Sequence, residues 1–497
     1  MPGELIEASA PIAVIGAGTM GAGIAQVAAV AGHPVLVYDA APGAAERAVD
    51  AVRMRIAALV AKGRLDVDPA RLRLDVAREL DELAPARCVV EAVVEDLAVK
   101  QALFADLEKV VTPGCVLATN TSSLSPTAIA AALSHPGRLV GMHFCNPAPV
   151  MRLVEVVSGL ATRPEVDAAV TELALSWGKQ VVQAAATPGF IVNRVARPYY
   201  AEALRLAEER AASPATIDAV LTQAGGFRMG PFALMDLVGQ DVNEAVTRSV
   251  WTAFGYDPGS RRRCCSVPWS RPAGWAASPA AAGTGTATAR RRHVPTRPPE
   301  PSWVIEHGPS PLRTLLGRGT VKVRSGADGD GTAELPGGAR LVRCDGRPAT
   351  ALAAERGVPV VVVDRALDDA TAAGIAVAAS DGCPAPARDE AVGLLQAAGL
   401  TVYVIDDAPG LVVTRTVAML VNGAADARHK AVASAADIDT AMRLGTNYPI
   451  GPLAWGQRWG PAAILAVLDA LHAWYGEDRY RASALLRRIA AGRGSLL

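Results

Sequence analysis

The chain has 497 residues, enough for two or more domains with buried cores. Its 49 Lys plus Arg balance 49 Asp plus Glu, so no bulk charge points to a nucleic acid or an anionic membrane surface. The seven cysteines are scattered, with no C-x-x-C pair and only Cys264 and Cys265 adjacent, which argues against a disulfide framework or a metal site and for a reducing cytoplasm.

Residues 11–39 read PIAVIGAGTMGAGIAQVAAVAGHPVLVYD. Ile12 to Ile15 form a short buried strand, Gly16-Ala17-Gly18-Thr19-Met20-Gly21 is a G-x-G-x-x-G turn, and the Ala-rich run to Ala31 is a helix. A second strand, Val35 to Tyr38, ends at Asp39. The spacing has a mechanical cause: Gly16 permits a tight turn, Gly18 lets the backbone approach a pyrophosphate, and Gly21 lets helix and strand pack closely. The helix N-terminus then faces the phosphates. Asp39 lies where a carboxylate hydrogen-bonds ribose hydroxyls and repels a 2′-phosphate, favouring NAD over NADP. Residues 11–38 carry no Asp, Glu, Lys or Arg and are long enough to span a bilayer, yet their glycines, with Thr19 and Gln26, suit the turn and helix better. The acidic MPGELIEASA before them lacks the basic start of a secretory signal.

Ala44 to Lys62 follows as a helix and Leu72 to Leu74 as a short strand. Cys88 to Val94 is a strand by its unbroken apolar run, ending at Glu95, and a helix carrying Lys100 comes next. Val116 to Thr119 is another strand, leading into Asn120-Thr121-Ser122-Ser123. This alternation predicts a parallel, doubly wound sheet of the Rossmann type, whose ligands lie beyond the carboxyl ends of the strands. Glu95, Lys100, Asn120 and Ser122 fall at or just beyond such ends.

The strand from Arg138 to Met142 delivers His143, and HFCNPAPVMRLVEVV then turns through Pro147 and Pro149 into a strand with Glu155. Two prolines near the middle imply an extended reversal that brings His143 and Glu155 together. A histidine beside a carboxylate is what proton abstraction from an alcohol requires, because the carboxylate fixes the tautomer and stabilises the imidazolium. From Arg163 the pattern becomes mainly helical. Pro164 to Trp177 is a helix and Gln180 to Gln183 a strand; Pro188 suits a helix start that places Asn193 in the next turn, with further helices at Pro214 to Gln223 and Phe232 to Phe254.

The pieces GAGTMG with Asp39, VVEAVVEDLAVK, NTSSL, HFCNPAPVMRLVEV, TPGFIVNR and GGFRMGPFALMDLVG, spanning roughly residues 11–255, resemble the L-3-hydroxyacyl-CoA dehydrogenases, particularly a long bacterial form associated with phenylacetate catabolism. The resemblance implies reversible NAD-dependent oxidation of an (S)-3-hydroxyacyl-CoA. It implies His143 as general base, Glu155 as its partner, and Ser122 and Asn193 on the substrate oxygen or the histidine. By the same carry-over the cofactor contacts are Gly16, Gly18, Thr19, Met20, Gly21, Asp39, Glu95, Lys100 and Asn120. Arg55, Lys62 and Arg64 are candidates for the CoA phosphates. A substrate with a dicarboxylic acyl chain would need a cation at its far end. The competing reading is a silent NAD-binding protein.

The chain also repeats itself. Pro188-Gly189 aligns with Pro409-Gly410, Ile217-Asp218 with Ile438-Asp439 and Gly230-Pro231 with Gly451-Pro452, always 221 apart. The same offset carries Arg194 onto Arg415, Asn193 onto Thr414, Glu155 onto Ala376 and His143 onto Asp364, so the second copy keeps the helices without the pair. The expected organisation is an α/β dinucleotide-binding domain at 1–186, a helical domain at 187–255, an irregular segment at 256–319, a small α/β segment without a nucleotide site at 320–407 and a second helical domain at 408–497. The duplicated helices would replace a dimer partner. Residues 256–300 hold eight arginines, seven prolines, two acids and no Leu, Ile, Phe or Met, which predicts disorder and suggests codons read in a shifted frame.

Overall fold

The computed structural model describes residues 6–7, 9–257, 300–326, 329–492 and 494–497. The stretch expected to be disordered and frame-shifted lies, at 258–299, outside those residues. The first sheet and its helices run β1 (Ile12–Ile15), α1 (Thr19–Val30), β2 (Val35–Tyr38), α2 (Ala44–Ala61), β3 (Leu74–Val76), β4 (Cys88–Glu91), α3 (Leu97–Val110), β5 (Val116–Thr119), α4 (Pro126–Ala130), β6 (Leu139–Phe144), β7 (Leu153–Ser158), α5 (Pro164–Ser176) and β8 (Gln180–Ala185). Five helices follow: α6 (Val192–Val195), α7 (Arg197–Glu208), α8 (Pro214–Gln223), α9 (Pro231–Val238) and α10 (Gln240–Ala253). A second sheet region holds β9 (Trp303–His307), α11 (Arg313–Leu316), β10 (Lys322–Ser325), β11 (Thr332–Glu334), β12 (Arg340–Arg343), α12 (Ala349–Arg356), β13 (Val360–Val363), β14 (Gly374–Ala379), α13 (Ala385–Ala397) and β15 (Thr401–Val404). The chain closes with α14 (Val413–His429), α15 (Ala435–Gly445), α16 (Pro452–Trp459), α17 (Pro461–Tyr475) and α18 (Ala484–Gly492). Among the described residues no helix is long and apolar enough to cross a membrane.

Two compact units result, one formed by residues 1–194 with 430–446 and the other by 195–429 with 447–497. In the first, the eight strands lie in the order β3-β2-β1-β4-β5-β6-β7-β8. β1 to β6 are parallel, as the alternation of strands and helices requires, and are apolar because helices cover both faces. One core lies under α1, α2 and α5 around Val14, Ile24, Val52 and Trp177, and the other under α3 and α4 around Ile15, Phe104, Leu107 and Ile129. β7 runs antiparallel to β6, which is the reversal through Pro147 and Pro149, and β8 then pairs parallel to β7.

Several expected boundaries move. β4 stops at Glu91 rather than Val94, level with the ends of its neighbours β1 and β5 at Ile15 and Thr119, and the Glu91 carboxylate turns inward. Pro188 does not start a helix: Gly189 and Phe190 take positive φ (72° and 45°), so α6 begins at Val192 and Asn193 sits in its first turn. The helix expected from Phe232 to Phe254 is broken at Gly239, whose φ of 98° suits only glycine. The second sheet, ordered β10-β9-β11-β12-β13-β14-β15, begins at Trp303, inside the segment expected to be irregular up to 319.

The 221-residue offset is written into the backbone. Gly189 and Gly410 have φ of 72° and 74°, Phe190 and Leu411 45° and 48°, Gly239 and Gly460 98° and 90°. Ser213 and Ser434 both cap the following helix with their hydroxyls. β7 and α5 map residue for residue onto β14 and α13, and β12 to β15 repeat the parallel, antiparallel, parallel pairing of β5 to β8.

The copies also exchange helices. In the first unit the Ala185 N–H donates to the Val432 carbonyl (2.7 Å), and α15 packs on β7 and β8. In the second unit the Asp406 N–H donates to the Ala211 carbonyl (2.9 Å), and α8 packs on β14. Residues 406 and 211 are the offset images of 185 and 432, so one contact is made twice with donor and acceptor copies interchanged. Within the segment expected at 408–497, residues 430–446 pack with the first sheet.

Within the second unit, Glu202 of α7 is fully buried between Arg415 (2.7 Å) and Arg479 (2.7 Å). Burial alone would raise its pKa, but Arg479 and Arg415 outweigh that and hold the carboxyl below its usual range. Tyr480 donates to the same carboxylate, and Arg205 pairs with Glu477, so α7 is tied to the C-terminal helices by charge as well as by apolar contact.

Candidate active site

The glycine turn joins β1 to α1 as its spacing requires. A Cβ on Gly16 would stand 2.5 Å from the Ala92 carbonyl oxygen, and one on Gly21 would stand 1.7 Å from that of Gly16. At Gly18 a Cβ would meet nothing within 4 Å. Packing therefore dictates the first and third glycines, while the second faces open space where a pyrophosphate fits. α1 starts with Gly18 as its cap and no side chain bonding its first turn, leaving the amide end available to an anion. Between α1 and α2 lies an open cleft of about 320 Å³ lined by Gly18, Thr19, Ala22, Arg47 and Ala51.

Asp39, at the end of β2, accepts from the Ala17 N–H (2.6 Å) and the Ala41 N–H (2.8 Å). Those bonds pin the turn and fill two of about four acceptor sites on the carboxylate. Two remain for a diol. Thr19 is exposed beside Gly18, whereas the Met20 side chain packs against the core, so a contact from Met20 would come from its backbone. These features fit a dinucleotide.

Around the ends of β4 and β5 the expected residues are sorted by depth. Glu95 gathers the loop after β5: its Oε1 accepts from the Thr121 hydroxyl (2.7 Å) and the Ser122 and Ser123 N–H groups (3.0 Å each). Burial opposes ionisation there, yet the Thr121 hydroxyl, Lys100 and the serines together lower its pKa. Lys100 lies deeper than Glu95 and within ion-pair distance of both Glu91 and Glu95. Its ammonium, 1% exposed, donates to Glu91 at 2.5 Å and stands 3.4 Å from Glu95. The fully buried Glu91 carboxylate takes the lysine as its near counter-ion, and Glu95 shares it from the outer side. Sequence reasoning missed Glu91, Thr119, which donates to it at 2.6 Å, and Thr121. An acid closing an apolar strand, CVVE, was the available signal. Asn120 accepts from the Phe144 N–H (2.8 Å) and so fixes the end of β6 next to His143.

The histidine and the carboxylate meet. His143 and Glu155 are directly opposed across the β6 and β7 pair, and His143 Nδ1 lies 2.6 Å from Glu155 Oε2. The other oxygen of Glu155 accepts from the Ile191 and Val192 N–H groups (2.9 and 3.2 Å) at the start of α6. Glu155 has no exposure and His143 has 7%. An ionised carboxylate only accepts, so Nδ1 carries the proton and Nε2 keeps its lone pair. Phe190 stands edge-on to the imidazole, with ring centres 5.7 Å apart, and walls one side. Ser122 and Asn193 are half-buried, Asn193 one residue beyond the two amides that hold Glu155.

The second copy shows what this arrangement becomes without its base. Asp364 occupies the offset position of His143 and is fully buried. Its carboxylate accepts from the Val412 (3.0 Å), Val413 (2.7 Å) and Thr414 (2.9 Å) N–H groups and from the Thr414 hydroxyl (2.7 Å). Val412 and Val413 are the images of Ile191 and Val192. One aspartate has taken the helix-anchoring half of the pair, and Ala376 stands where Glu155 would be.

Family models for the 3-hydroxyacyl-CoA dehydrogenase NAD binding domain match residues 11–187, those for its C-terminal domain match 189–270 and 410–494, and the 3-hydroxybutyryl-CoA dehydrogenase reduced Rossmann-fold domain matches 341–409. The chain belongs to the 3-hydroxyacyl-CoA dehydrogenase family. It is 46% identical over 482 residues to the 3-hydroxyadipyl-CoA dehydrogenase of Escherichia coli, covering 96% of this chain and 97% of that one. The crystal structure of a 3-hydroxybutyryl-CoA dehydrogenase from Escherichia coli superposes with a TM-score of 0.83 at 44% identity, covering 98% and 99% of the two chains. The human mitochondrial hydroxyacyl-coenzyme A dehydrogenase is 38% identical over 244 residues, 47% of this chain and 78% of that one. The chain is an NAD-binding oxidoreductase acting on the CH–OH group of 3-hydroxyacyl-CoA.

Proposed function

We propose that His143 is the general base of this oxidation and Glu155 its positioning partner. The observation that carries the proposal is a carboxylate clamped at both oxygens, one by His143 Nδ1 and the other by the Ile191 and Val192 amides. Held so, the imidazole offers Nε2 to the C3 hydroxyl of an (S)-3-hydroxyacyl-CoA and takes its proton, while Glu155 balances the charge that appears on the ring. NAD, when bound, supplies a nicotinamide that accepts the hydride from C3. Ser122 and Asn193 hold the oxygen as it becomes a carbonyl.

The chain's own groups for the cofactor are the Gly16–Gly21 turn with Thr19 and the Met20 backbone, Asp39 for the ribose, and the loop that Glu95 and Asn120 organise, with Lys100 acting from behind through Glu95. Arg55, held by Gln26 at 3.1 Å, and Lys62 and Arg64 are exposed on or just after α2 and serve the CoA phosphates. The exchanged helices supply within one chain the packing that a second subunit would otherwise provide, and the free thiols of Cys88, Cys115, Cys145 and Cys344 suit a reducing cytoplasm. The test is NADH formation from NAD and (S)-3-hydroxybutyryl-CoA. Wild type turns over, and His143→Ala loses at least a hundredfold in kcat while still binding NADH; equal rates would overturn the assignment.

A further inference from the structure

The reversal between β6 and β7 carries His143 before it and Glu155 after it, and little holds its middle. Asn146, Pro147, Val150 and Arg152 are exposed, and Ala148 is the one buried residue of 146–152. Two fastenings meet at that point, both within the first unit, and neither has a part in the chemistry above.

The first is Lys179, between α5 and β8. α5 ends at Gly178, whose φ of 72° lets the Lys179 N–H close on the Ala174 carbonyl (3.1 Å). Lys179 is 8% exposed, and its ammonium donates to the Ala148 carbonyl (2.5 Å) and the Met151 carbonyl (2.9 Å). Among the described residues no carboxylate pairs with it, and burial loosens its hold on its proton. A buried cation without a counter-ion is destabilising, so filling space does not explain a lysine here. What the lysine adds is donors for two carbonyls of one turn. Two residues earlier, Trp177 stacks on Phe144, the neighbour of His143, with ring centres 6.2 Å apart.

The second is Gly23, in the second turn of α1. Glycine inside a helix is less stable than alanine and calls for a packing reason. The reversal supplies it: a Cβ on Gly23 would stand 3.2 Å from Pro149 Cδ and 3.3 Å from Ala148 Cβ, so those atoms would have to give by a few tenths of an ångström. The open cleft beside α1 is lined by Gly18, Thr19 and Ala22, and Gly23 is not part of it. The helix whose start faces the pyrophosphate thus rests, one turn on, against the segment that carries the base.

We infer that Gly23 and Lys179 are positioning residues of the dehydrogenase: holding the turn at 148–151 from α1 and from the corner between α5 and β8, they fix where His143 stands relative to the bound cofactor. The inference rests on the assignment of His143 as the base.

The experiment measures kcat with (S)-3-hydroxybutyryl-CoA per NADH-binding site, and NADH affinity by fluorescence, on the full chain. At about a hundredfold for about 1 Å of misplacement, a shift of a few tenths lowers kcat about 3- to 15-fold in Gly23→Ala. Lys179→Met keeps the length of the side chain, leaves both carbonyls without their donor and lowers kcat about 10- to 100-fold. In both variants NADH affinity stays within about threefold of wild type. A variant within about twofold of wild-type kcat per site overturns the role given to its residue, because a group that only stabilises the fold changes the number of sites and not their rate. A loss of NADH affinity as large as the loss of kcat overturns it too, by placing the fault at the cofactor. Gly23→Ala, which helix propensity favours, carries the test if Lys179→Met does not fold. A His143→Ala enzyme as fast as wild type is the separate result that removes the base assignment itself.

Discussion

Replacing Glu155 by Gln preserves the shape of the side chain and changes what it can accept. The Ile191 and Val192 N–H groups, 2.9 and 3.2 Å from Oε1, need an acceptor, so the amide oxygen stays with them and the NH2 group faces His143. Nδ1 must then accept, the ring proton moves to Nε2, and the base loses its lone pair. Flipping the amide restores the tautomer but leaves two buried donors facing an NH2 group, at about 1–3 kcal/mol for each unsatisfied group. The imidazolium that forms also loses a full negative charge, worth about 4 kcal/mol at ~4 Å and an effective dielectric of ~20. Allowing for overlap between the two effects, kcat should fall by about 10³- to 10⁴-fold. The assay is the initial rate of NADH formation, with NADH affinity measured in parallel by fluorescence; because Glu155 is fully buried, that affinity should change less than threefold, an estimate of about half a kcal/mol. A Glu155→Gln enzyme within tenfold of wild-type kcat would refute this reasoning.

Three further outcomes follow from single residues. Glu202→Ala strands Arg479 and leaves Arg415 only Glu209 as a carboxylate partner, and should cost about 3–5 kcal/mol in urea unfolding. Because the Glu202 pKa is depressed in the folded state, its contribution is complete above the unfolded carboxylate pKa and is lost as pH falls through the folded value, so wild type should lose more stability than the variant on acidification. Asp364→Ala leaves the Val412, Val413 and Thr414 amides without their acceptor and should lower stability by about 3 kcal/mol or more, read as a lower thermal midpoint. Asp39→Ser removes the carboxylate that favours the 2′-hydroxyl: KM for NAD should rise about 10- to 100-fold and NADP should become a usable cofactor, measured with each dinucleotide in turn.

Much of this was legible because local chemistry and fold agree. The G-x-G-x-x-G turn, Asp39 and the apolar strands are each read from a few adjacent residues, and the His143 and Glu155 pair needed only one reversal between neighbouring strands. The repeat was visible at turns because Gly189, Gly239 and their images need backbone angles that few other residues accept. What could not be read was choice of partner over long separations. Lys100 turns inward because Glu91 is buried, and nothing in VVEAVVEDLAVK says that two of its three acids, Glu91 and Glu95, share the lysine while Asp96 caps the helix. The placement of α15 on β7 and β8 joins residues more than two hundred positions apart, a matter of packing surfaces rather than period. Asp364 was seen as a loss, whereas its carboxylate has taken over the amides that Glu155 holds in the first copy.

The most direct test is the protonation of the His143 ring itself. Nitrogen-15 spectra of histidine-labelled enzyme, with the His143 signals identified from their absence in His143→Gln, report which ring nitrogen bears hydrogen in the neutral form. A proton on Nδ1 and a bare Nε2 is the predicted state, moving to Nε2 in Glu155→Gln. Hydrogen on Nε2 in the wild-type enzyme would leave no lone pair for the substrate hydroxyl and would contradict the mechanism.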